Sequence, residues 1–550
     1  MQNPHLFKIV TPIKVDQFED LLKTHPNRPF VDSVCYGLRN GFWPLASISE
    51  ESPITFDFSD RPQTEEAQVF IRQQRDHEIS AGRFSEGFGP ELLPGMYSSP
   101  IGAVPKPKST KLRLITDQSA GPHSLNSFIP RHEAAVRYDN MQDFGRILRN
   151  VHQRYGRPPA YLFKDDCSEA FRRIPVHFLW QIRQVVSIDG IRHVDRCMVF
   201  GSRSSPRIWC SFMALVLWIA IHIRYLADLL HYMDDSWGYE MDPQLEYYTP
   251  YDTFYPKKQV RLLNLWDEIG LPHQKEKQLY GSTLSIIGFH IDPISMALSL
   301  PKSSRDELIT AIRSFVSQRK HPLRDWQHIL GWINWALNVF PLLRPGLQSS
   351  YSKISGKVIA KAPIPLNKRV ISDLSWVADR VALANGLYFF RELVWDASEA
   401  DLIIYCDACM SGLGFYIPRT HHGFAASVPT GYPIHNIVFF ETLCVASAVS
   451  WASTLLRPPR RLLIYTDSLD SVELFHSLKA EAGYNDLLLF VVQILMDKHI
   501  QLRVFHIPGV ENTVADALSR GLFDSARGMD PFLQVNIFQP PQDSLGVTQN

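Results

Sequence analysis

The stretch LLHYMDDSWGY, Leu229 to Tyr239, constrains the fold more than any other part of the sequence. It places two adjacent acids, Asp234 and Asp235, between an apolar run and aromatic residues, where like charges are costly unless a cation meets them. A second apolar segment, AYLFKDD, ends in Asp165 and Asp166. Three carboxylates from two neighbouring strands can hold two divalent cations about 3.5–4 Å apart for in-line phosphoryl transfer. The alternative interpretation is two pairs of acids in solvated hairpin turns.

The length and composition predict an ordinary globular protein with several cores. A chain of 550 residues is too long for one core, so we expect three or more domains. Lys plus Arg equal Asp plus Glu, 56 each, so a nucleic-acid surface would have to come from local clustering of basic residues.

The seven cysteines are few and odd in number, which is typical of a reducing compartment. We therefore expect an intracellular protein, in the cytoplasm or the nucleus. Cys406 and Cys409 form a lone CxxC without a second pair at zinc spacing, so a reduced pair is favoured over a metal site. No signal peptide is apparent. The longest apolar stretch, about Trp209 to Ile223, is shorter than the ~18 residues of a membrane span, so we expect a buried helix and no membrane partner.

The alternation of strand-like and helical segments predicts an α+β, multidomain fold. Five regions follow from changes in pattern: an N-terminal extension at 1–95, mixed strands and helices at 96–300, helices at 301–395, a second α/β region at 396–525 and a disordered tail at 526–550.

The segments between Gly102 and Asp292, in their order, resemble the motifs of a reverse transcriptase. The segments are VPKPKSTKLRLITDQSAGPHSLN, FKDDCSEAFRRIPV, VFGSRSSPRIW, the YMDD stretch and GLPHQKEKQLYGSTLSIIGFHID. The resemblance implies a right-hand polymerase, with fingers and palm at 96–300 and a helical thumb or connection at 301–395. It also implies RNA-directed DNA synthesis with Mg²⁺, with Mn²⁺ as the alternative ion, and with an RNA template, a DNA primer and dNTPs as partners.

The same resemblance assigns the metal ligands. Phe171 and Ile174 stand five and eight residues after Asp166, as the family pattern requires, so Asp166 is assigned with Asp234 and Asp235. Alternation along a strand points Asp165 to the opposite face, where we expect it to be solvated. Phe171 is either an ordinary core aromatic or, as the resemblance implies, a steric gate that excludes a 2′-hydroxyl; both can hold.

Further residues are assigned to substrate binding by the resemblance, although a surface hairpin with Lys and Arg is usually just solvated. Lys106 and Arg113, on the two arms of the basic hairpin, would bind the incoming triphosphate, with Lys108 and Lys111 as helpers. Gly201 would let the backbone approach the template base pair. Lys277 would protonate the leaving pyrophosphate, although Lys275 lies close by.

A second set of acids follows in the C-terminal half. Each has a simpler explanation as a strand-end or helix-start residue. Together, Asp407, Glu441, Asp467 and Asp516 resemble the four metal ligands of a ribonuclease H domain, and HIPGVENTVADALSR is similar to the retrotransposon version. Such a domain would degrade the RNA of an RNA–DNA hybrid with two Mg²⁺ ions.

One departure from the ribonuclease H pattern concerns the loop before the last acid. Val510 and Glu511 stand where cellular enzymes carry a mobile histidine, and His506 lies earlier, in the strand. Product release or protonation would then be slower.

We interpret the sequence as a reverse transcriptase and ribonuclease H region of a retrotransposon polyprotein, gypsy-like or DIRS-like. Two alternatives stay open: a domesticated or decayed protein that binds nucleic acid without catalysis, and an RNA-directed RNA polymerase. The intact acids disfavour the first alternative. Phe171 and the nuclease-like region disfavour the second.

Overall fold

A computed structural model describes residues 3–58, 63–105, 111–384, 387–389, 395–428 and 434–541. Lys106 and Lys108, assigned above to the triphosphate, lie outside the described residues. The chain divides into two units, Met1–Ile287 and Gly288–Asn550. The five-part division drawn from the sequence stays a prediction.

The helices of the first unit are α1 (Val15–Leu21), α2 (Arg28–Asn40), α3 (Glu65–Ser80), α4 (Met141–Tyr155), α5 (Phe178–Gln181), α6 (Ser205–Trp218) and α7 (Lys257–Ile269). Its strands are β1 (Phe56–Asp57), β2 (Tyr97–Ser98), β3 (Ile101–Pro105), β4 (Leu112–Thr116), β5 (Tyr161–Asp166), β6 (Val185–Ile188), β7 (Ile191–Val194), β8 (Leu230–Tyr232), β9 (Asp235–Glu240), β10 (Leu245–Tyr248), β11 (Thr253–Pro256), β12 (Leu279–Gly281) and β13 (Leu284–Ile286).

The sheet that carries the first acids has the strand order β12-β5-β9-β8 and is antiparallel throughout. Strands β5 and β9 pair along their whole length, from Tyr161 opposite Glu240 to Asp166 opposite Asp235. Gly238 faces Phe163, whose ring would be 2.9 Å from a Cβ at the glycine. The glycine therefore makes room for a fully buried aromatic between the two strands.

The N-terminal helices share the core of the first unit. Phe18 of α1 packs on Phe212 of α6 with 5.2 Å between the ring centroids, and Val31 and Leu38 of α2 belong to the same buried cluster. Among the described helices, α6 and its π-helical continuation, Ser205–Ile223, are together long and apolar enough to span a membrane. A core helix meets the same requirement, and this one contributes to the core just described.

The helices of the second unit are α8 (Lys302–Ser317), α9 (Leu323–Ala336), α10 (Gln348–Ile354), α11 (Lys368–Leu383), α12 (Ile437–Ser453), α13 (Leu469–Ser477), α14 (Ala482–Lys498), α15 (Thr513–Ser519) and α16 (Phe523–Met529). Its strands are β14 (Phe289–Asp292), β15 (Ala297–Ser299), β16 (Lys320–Pro322), β17 (Pro363–Pro365), β18 (Leu387–Phe389), β19 (Leu402–Ala408), β20 (Gly412–Ile417), β21 (His422–Ser427), β22 (Arg461–Thr466), β23 (Gln501–His506) and β24 (Gln534–Ile537).

The second unit ends in a six-stranded mixed sheet of order β23-β22-β19-β20-β21-β24. Strands β19, β20 and β21 form an antiparallel meander, and β22 and β23 run parallel to β19. Helix α12 is almost wholly buried in the core of this sheet, because its apolar residues run all round the helix. The expected fold class is confirmed as an α+β, multidomain chain: a four-stranded antiparallel sheet in the first unit, and helices followed by a six-stranded mixed sheet in the second.

The expectation of a tail from residue 526 differs from the structure. Residues 526–541 include the end of α16 and strand β24, which pairs in parallel with β21. Asp530 fixes this segment by accepting hydrogen bonds from Tyr416 and His421. The anchoring residues lie more than 100 positions upstream, so the local sequence after residue 526 cannot reveal them. Residues 542–550 lie outside the described part.

Candidate active sites

The acids of the first site meet at the paired ends of β5 and β9. Asp166 is the last residue of β5 and Asp235 the first of β9, and the two are register partners. Asp234 lies in the tight turn between β8 and β9, which Met233 enters with a left-handed φ of 57°. The Asp234 carbonyl oxygen accepts a hydrogen bond from the Cys167 N–H at 3.1 Å. The sequence-assigned triad is therefore gathered at one end of the sheet.

Two lysines neutralise these acids. The Lys277 ammonium lies 2.6 Å from Asp166 Oδ1, and the Lys164 ammonium lies 3.0 Å from Asp235 Oδ1. Burial raises the pKa of Asp235 to about 6, and Lys164 opposes the rise. Burial likewise raises the pKa of Asp166, against the hydrogen bond from Lys277. Lys277, assigned by resemblance to the leaving group, is thus placed at Asp166.

A buried glutamine holds the backbone of Asp166. Gln278 Oε1 accepts from the Asp166 N–H at 3.1 Å, and its Nε2 donates to the Asp166 carbonyl at 3.1 Å and to the Gln274 carbonyl at 2.8 Å. The amide therefore uses its oxygen and both of its hydrogens. Sequence reasoning missed Gln278, although it directly follows Lys277 in the segment GLPHQKEKQLYGSTLSIIGFHID.

The expectation that Asp165 is solvated is wrong. Asp165 points away from Asp166, as alternation predicts, but its exposed fraction is 0%. Gln259 of α7 donates to its Oδ1 at 2.7 Å, and burial raises its pKa to about 8. Helix α7 packs near this second face of the sheet. Water is therefore excluded from the face that Asp165 occupies.

Phe171 is 7% exposed and packs against Phe200, with 4.9 Å between the ring centroids. The Arg113 guanidinium lies 4.7 Å from the Phe200 centroid, a cation–π contact that joins strand β4 to this pair. Phe200 was not singled out in the sequence, although it directly precedes Gly201. Arg113, Phe200 and Phe171 therefore contact one another in a row.

The segment that carries Phe171 is fixed by a buried ion-pair network. Arg172 donates to Glu78 Oε2 at 2.6 Å and to Asp195 Oδ1 at 2.9 Å, and it also bonds the carbonyls of Cys197 and Met198. Such a network is costly to break because it would leave buried charges unpaired.

The backbone conformation and the neighbouring strand both require a glycine at position 201. Its φ is 127°, and a Cβ there would lie 1.9 Å from the Thr116 carbonyl oxygen. Asn126 donates to the Gly201 carbonyl at 2.7 Å and accepts from the Arg203 N–H at 2.7 Å. The close approach that the resemblance implied for a template base pair is here made to strand β4.

Three acids of the second site form a cluster. Asp407 near the end of β19, Glu441 in α12 and Asp467 just after β22 place ligand oxygens within 4.8 Å of one another. Within the described ranges this is the one such group of potential metal ligands; Asp166, Asp234 and Asp235 do not converge as closely.

The cluster fits a divalent cation. Glu441 Oε2 and Asp467 Oδ1 are buried without a hydrogen-bond partner. Burial and the charges of Asp407 and Asp467 raise the pKa of Glu441 to about 9, and burial raises that of Asp407 to about 6. Unpartnered oxygens and mutually repelling carboxylates are relieved when a cation binds between them.

The fourth assigned acid lies outside this cluster. Asp516, in α15, accepts from Arg520 Nε at 2.7 Å. The loop that lacks a histidine borders the cluster, because a Cβ at Gly509 would lie 3.0 Å from Asp467 Oδ2. Val510 in this loop is 84% exposed. The cysteines at 406 and 409 are free, with Cys406 buried in the sheet core.

Comparisons with known proteins find similarity to solved structures, but to no protein-family model and no curated protein. One similar structure is a foamy viral protease-reverse transcriptase dRH in complex with dsDNA, at 16% identity over 91% of this chain and 83% of that chain, with a TM-score of 0.45. Another is the foamy viral protease-reverse transcriptase in complex with dsDNA, at 15% identity over 91% of this chain and 99% of that chain, with a TM-score of 0.44. A third is the foamy viral protease-reverse transcriptase in complex with RNA/DNA hybrid, at 16% identity over 90% of this chain and 63% of that chain, with a TM-score of 0.45.

Proposed function

We propose that the chain is an RNA-directed DNA polymerase with a C-terminal ribonuclease H, acting in the replication of a gypsy-like or DIRS-like retrotransposon. The observation that carries the proposal is the register of the palm sheet, which sets Asp166 directly opposite Asp235 with Asp234 in the adjoining turn. Antiparallel strands that end in three acids at one edge are suited to holding metal ions against a triphosphate. The proposed partners are an RNA template, a DNA primer, an RNA–DNA hybrid and dNTPs, inside the cell.

In the polymerase site, Asp166, Asp234 and Asp235 would hold the ions. Bound Mg²⁺ supplies activation of the primer 3′-hydroxyl and charge neutralisation at the phosphates. Lys164 and Lys277 neutralise the same acids in the structure, so binding of ions would free both ammonium groups. Lys277 would then be available to the leaving pyrophosphate, and Arg113 to the triphosphate.

In the nuclease site, Asp407, Glu441 and Asp467 would hold a divalent cation, with Asp516 as an outer participant. Bound Mg²⁺ supplies an activated water for cleavage of the RNA strand. The loop Gly509–Glu511 offers no titratable imidazole beside Asp467, so we expect slow turnover.

The proposal is tested by primer extension on poly(rA)/oligo(dT) with Mg²⁺. Asp235→Asn keeps the side-chain volume and removes one ligand charge, so extension should fall below a tenth of the parent rate. Asp165→Asn is the matched control, because it makes the same change one strand position away on the other face and Asn can still pair with Gln259. The proposal fails if the folded Asp235→Asn protein extends primer at a tenth of the parent rate or more.

A further inference from the structure

Helix α15 approaches strand β20 unusually closely. A Cβ at Gly412 would lie 2.2 Å from the Ser519 carbonyl oxygen, and a Cβ at Gly414 would lie 2.5 Å from the Ser519 nitrogen and 2.7 Å from the Ala515 carbonyl oxygen. Two glycines at alternate strand positions therefore let the last turn of the helix lie directly on the sheet. The Cys409 thiol also contacts the Ser519 carbonyl, at 3.2 Å. This approach brings the Ser519 side chain to the end of β19.

The Ser519 hydroxyl is in direct contact with the acid cluster. Ser519 is 3% exposed, and its Oγ lies 2.5 Å from Asp407 Oδ2. The same oxygen lies 2.9 Å from the Asp516 carbonyl. A hydroxyl has one proton to donate. The shorter contact is to a carboxylate, which is the stronger acceptor when ionised, so the proton belongs to the bond with Asp407.

The bond fixes the orientation of Asp407. With Oδ2 held by Ser519, the rotation of the carboxylate about its Cβ–Cγ bond is set. Glu441 is held in a similar way, since its Oε1 accepts from the Ala408 N–H at 3.2 Å. Partners of this kind orient metal ligands, and their loss typically lowers metal affinity about 10- to 100-fold.

We propose that Ser519 is a positioning residue of the nuclease site, which orients Asp407 for a divalent cation. This rests on the proposed ribonuclease H function, yet it concerns metal binding and can be measured without cleavage. A purely structural serine in a last helical turn would bond back to the carbonyl three or four residues earlier. Ser519 has such a carbonyl within reach and still makes its shortest contact to Asp407.

The test uses the full-length chain carrying Asp166→Asn and Asp235→Asn, so that Mn²⁺ titration followed by calorimetry reports the second site. Ser519→Ala should weaken Mn²⁺ binding about tenfold or more. The matched control is Ser447→Ala, which removes a buried helical hydroxyl that bonds only the Leu443 carbonyl, at 2.7 Å. The control should bind Mn²⁺ within twofold of its parent.

Cleavage provides the second readout. In the chain with intact polymerase acids, Ser519→Ala should cut a labelled RNA–DNA hybrid slowly at low Mn²⁺ and recover at saturating Mn²⁺, with primer extension unchanged. If Ser519→Ala does not fold, Ser519→Cys keeps the size with a weaker donor and should give an intermediate Mn²⁺ affinity.

Several results overturn the inference: parent-like Mn²⁺ affinity in Ser519→Ala, no Mn²⁺ binding by the parent at this site, or a cleavage defect that saturating Mn²⁺ leaves unchanged. If instead the parent binds Mn²⁺, Ser519→Ala weakens that binding and neither protein cuts hybrid, the proposed nuclease function falls while the role of Ser519 stands.

Discussion

Phe171 combines a core position with a place five residues after Asp166 in the sequence. Its ring is nearly buried against Phe200, so a large truncation would unfold the region as well as open the site. Phe171→Val leaves a smaller apolar side chain and removes the ring. We expect discrimination between dNTPs and rNTPs to fall about 10- to 200-fold, the range of steric discrimination in apolar pockets. The measurement is the ratio of kcat/KM for the two nucleotides.

Phe144→Val is the control for the Phe171 prediction. Phe144 of α4 is fully buried in the same unit and packs on Trp237. This variant should lose stability and keep its discrimination. Equal discrimination in Phe171→Val and the parent, with both proteins folded, would leave Phe171 as a core residue only.

Gln278 provides a second prediction at a single residue. Gln278→Glu keeps the shape and the acceptor for the Asp166 N–H, but it loses the donors to two carbonyls; Gln278→Leu loses all three bonds. Because the backbone of Asp166 is then less well fixed, we expect kcat for primer extension to fall about tenfold or more, with dNTP KM little changed. Gln274→Leu, which removes an exposed amide, should behave as the parent. A change confined to KM would contradict this role.

The difference between Asp165 and Asp166 shows what one strand sequence can reveal. The period of two along a strand separates the faces of adjacent residues, so the choice of Asp166 needs no tertiary information. Whether the second face is dry depends on Gln259, about 90 residues downstream. The roles of Gln278 and Ser519 cannot be predicted from the sequence for the same reason, because each contacts a residue more than 100 positions away.

At the scale of elements, two ion pairs join α11 to α14. Arg369 bonds Asp486 at 2.5 Å, and Arg380 bonds Asp497 at 2.5 Å. The two arginines are eleven residues apart on one helix, as are the two aspartates on the other, which is about three helical turns. Helix α11 precedes the six-stranded sheet and α14 packs on it, so the ion pairs connect α11 to the core of that sheet.

We expect the double variant Arg369→Gln, Arg380→Gln to lower the free energy of unfolding by about 1–2 kcal/mol, since each partly exposed pair contributes about 0.2–1 kcal/mol and each aspartate loses its partner. Urea unfolding at low and high salt measures the effect, which should shrink as salt rises. Arg313→Gln is the control, because its pair with Asp379 joins two side chains that are both more than half exposed. A loss of stability that is equal at all salt concentrations would indicate packing rather than charge.

Elements with a strong local pattern follow from the sequence, and those fixed by distant contacts do not. Asp166 ends one strand, Asp407 is the last residue but one of another, and Asp467 directly follows a third; each strand is a largely apolar run. The ribbon of β16 and β17 contains three prolines, and β24 is four residues long and largely exposed, so neither is marked as a strand by a buried apolar run. Both are formed by partners elsewhere in the second unit.

At the scale of the whole molecule, the order of the two acid-bearing motifs along the sequence predicts the order of the two acid-bearing sheets. Two acid-bearing sheets lie in separate units, Met1–Ile287 and Gly288–Asn550, and each unit has its own core. The net charge of zero gives no indication of the sites, whereas local ion pairs such as Lys164–Asp235 and Lys277–Asp166 do. Function at this scale is therefore inferred from the sites and not from the bulk charge.

Because the two sites use residues of different units, their activities should separate by mutation. Asp407→Asn removes a ligand from the nuclease cluster and should reduce cleavage of a labelled RNA–DNA hybrid about 100-fold or more, in the range seen when catalytic groups are removed, while primer extension stays near the parent rate. Asp166→Asn should do the reverse. Asp524→Asn, which alters a fully exposed acid in the second unit, should change neither activity. If Asp407→Asn slowed extension as much as cleavage in a folded protein, the two sites would have to be coupled, and a single shared function would replace the two proposed here.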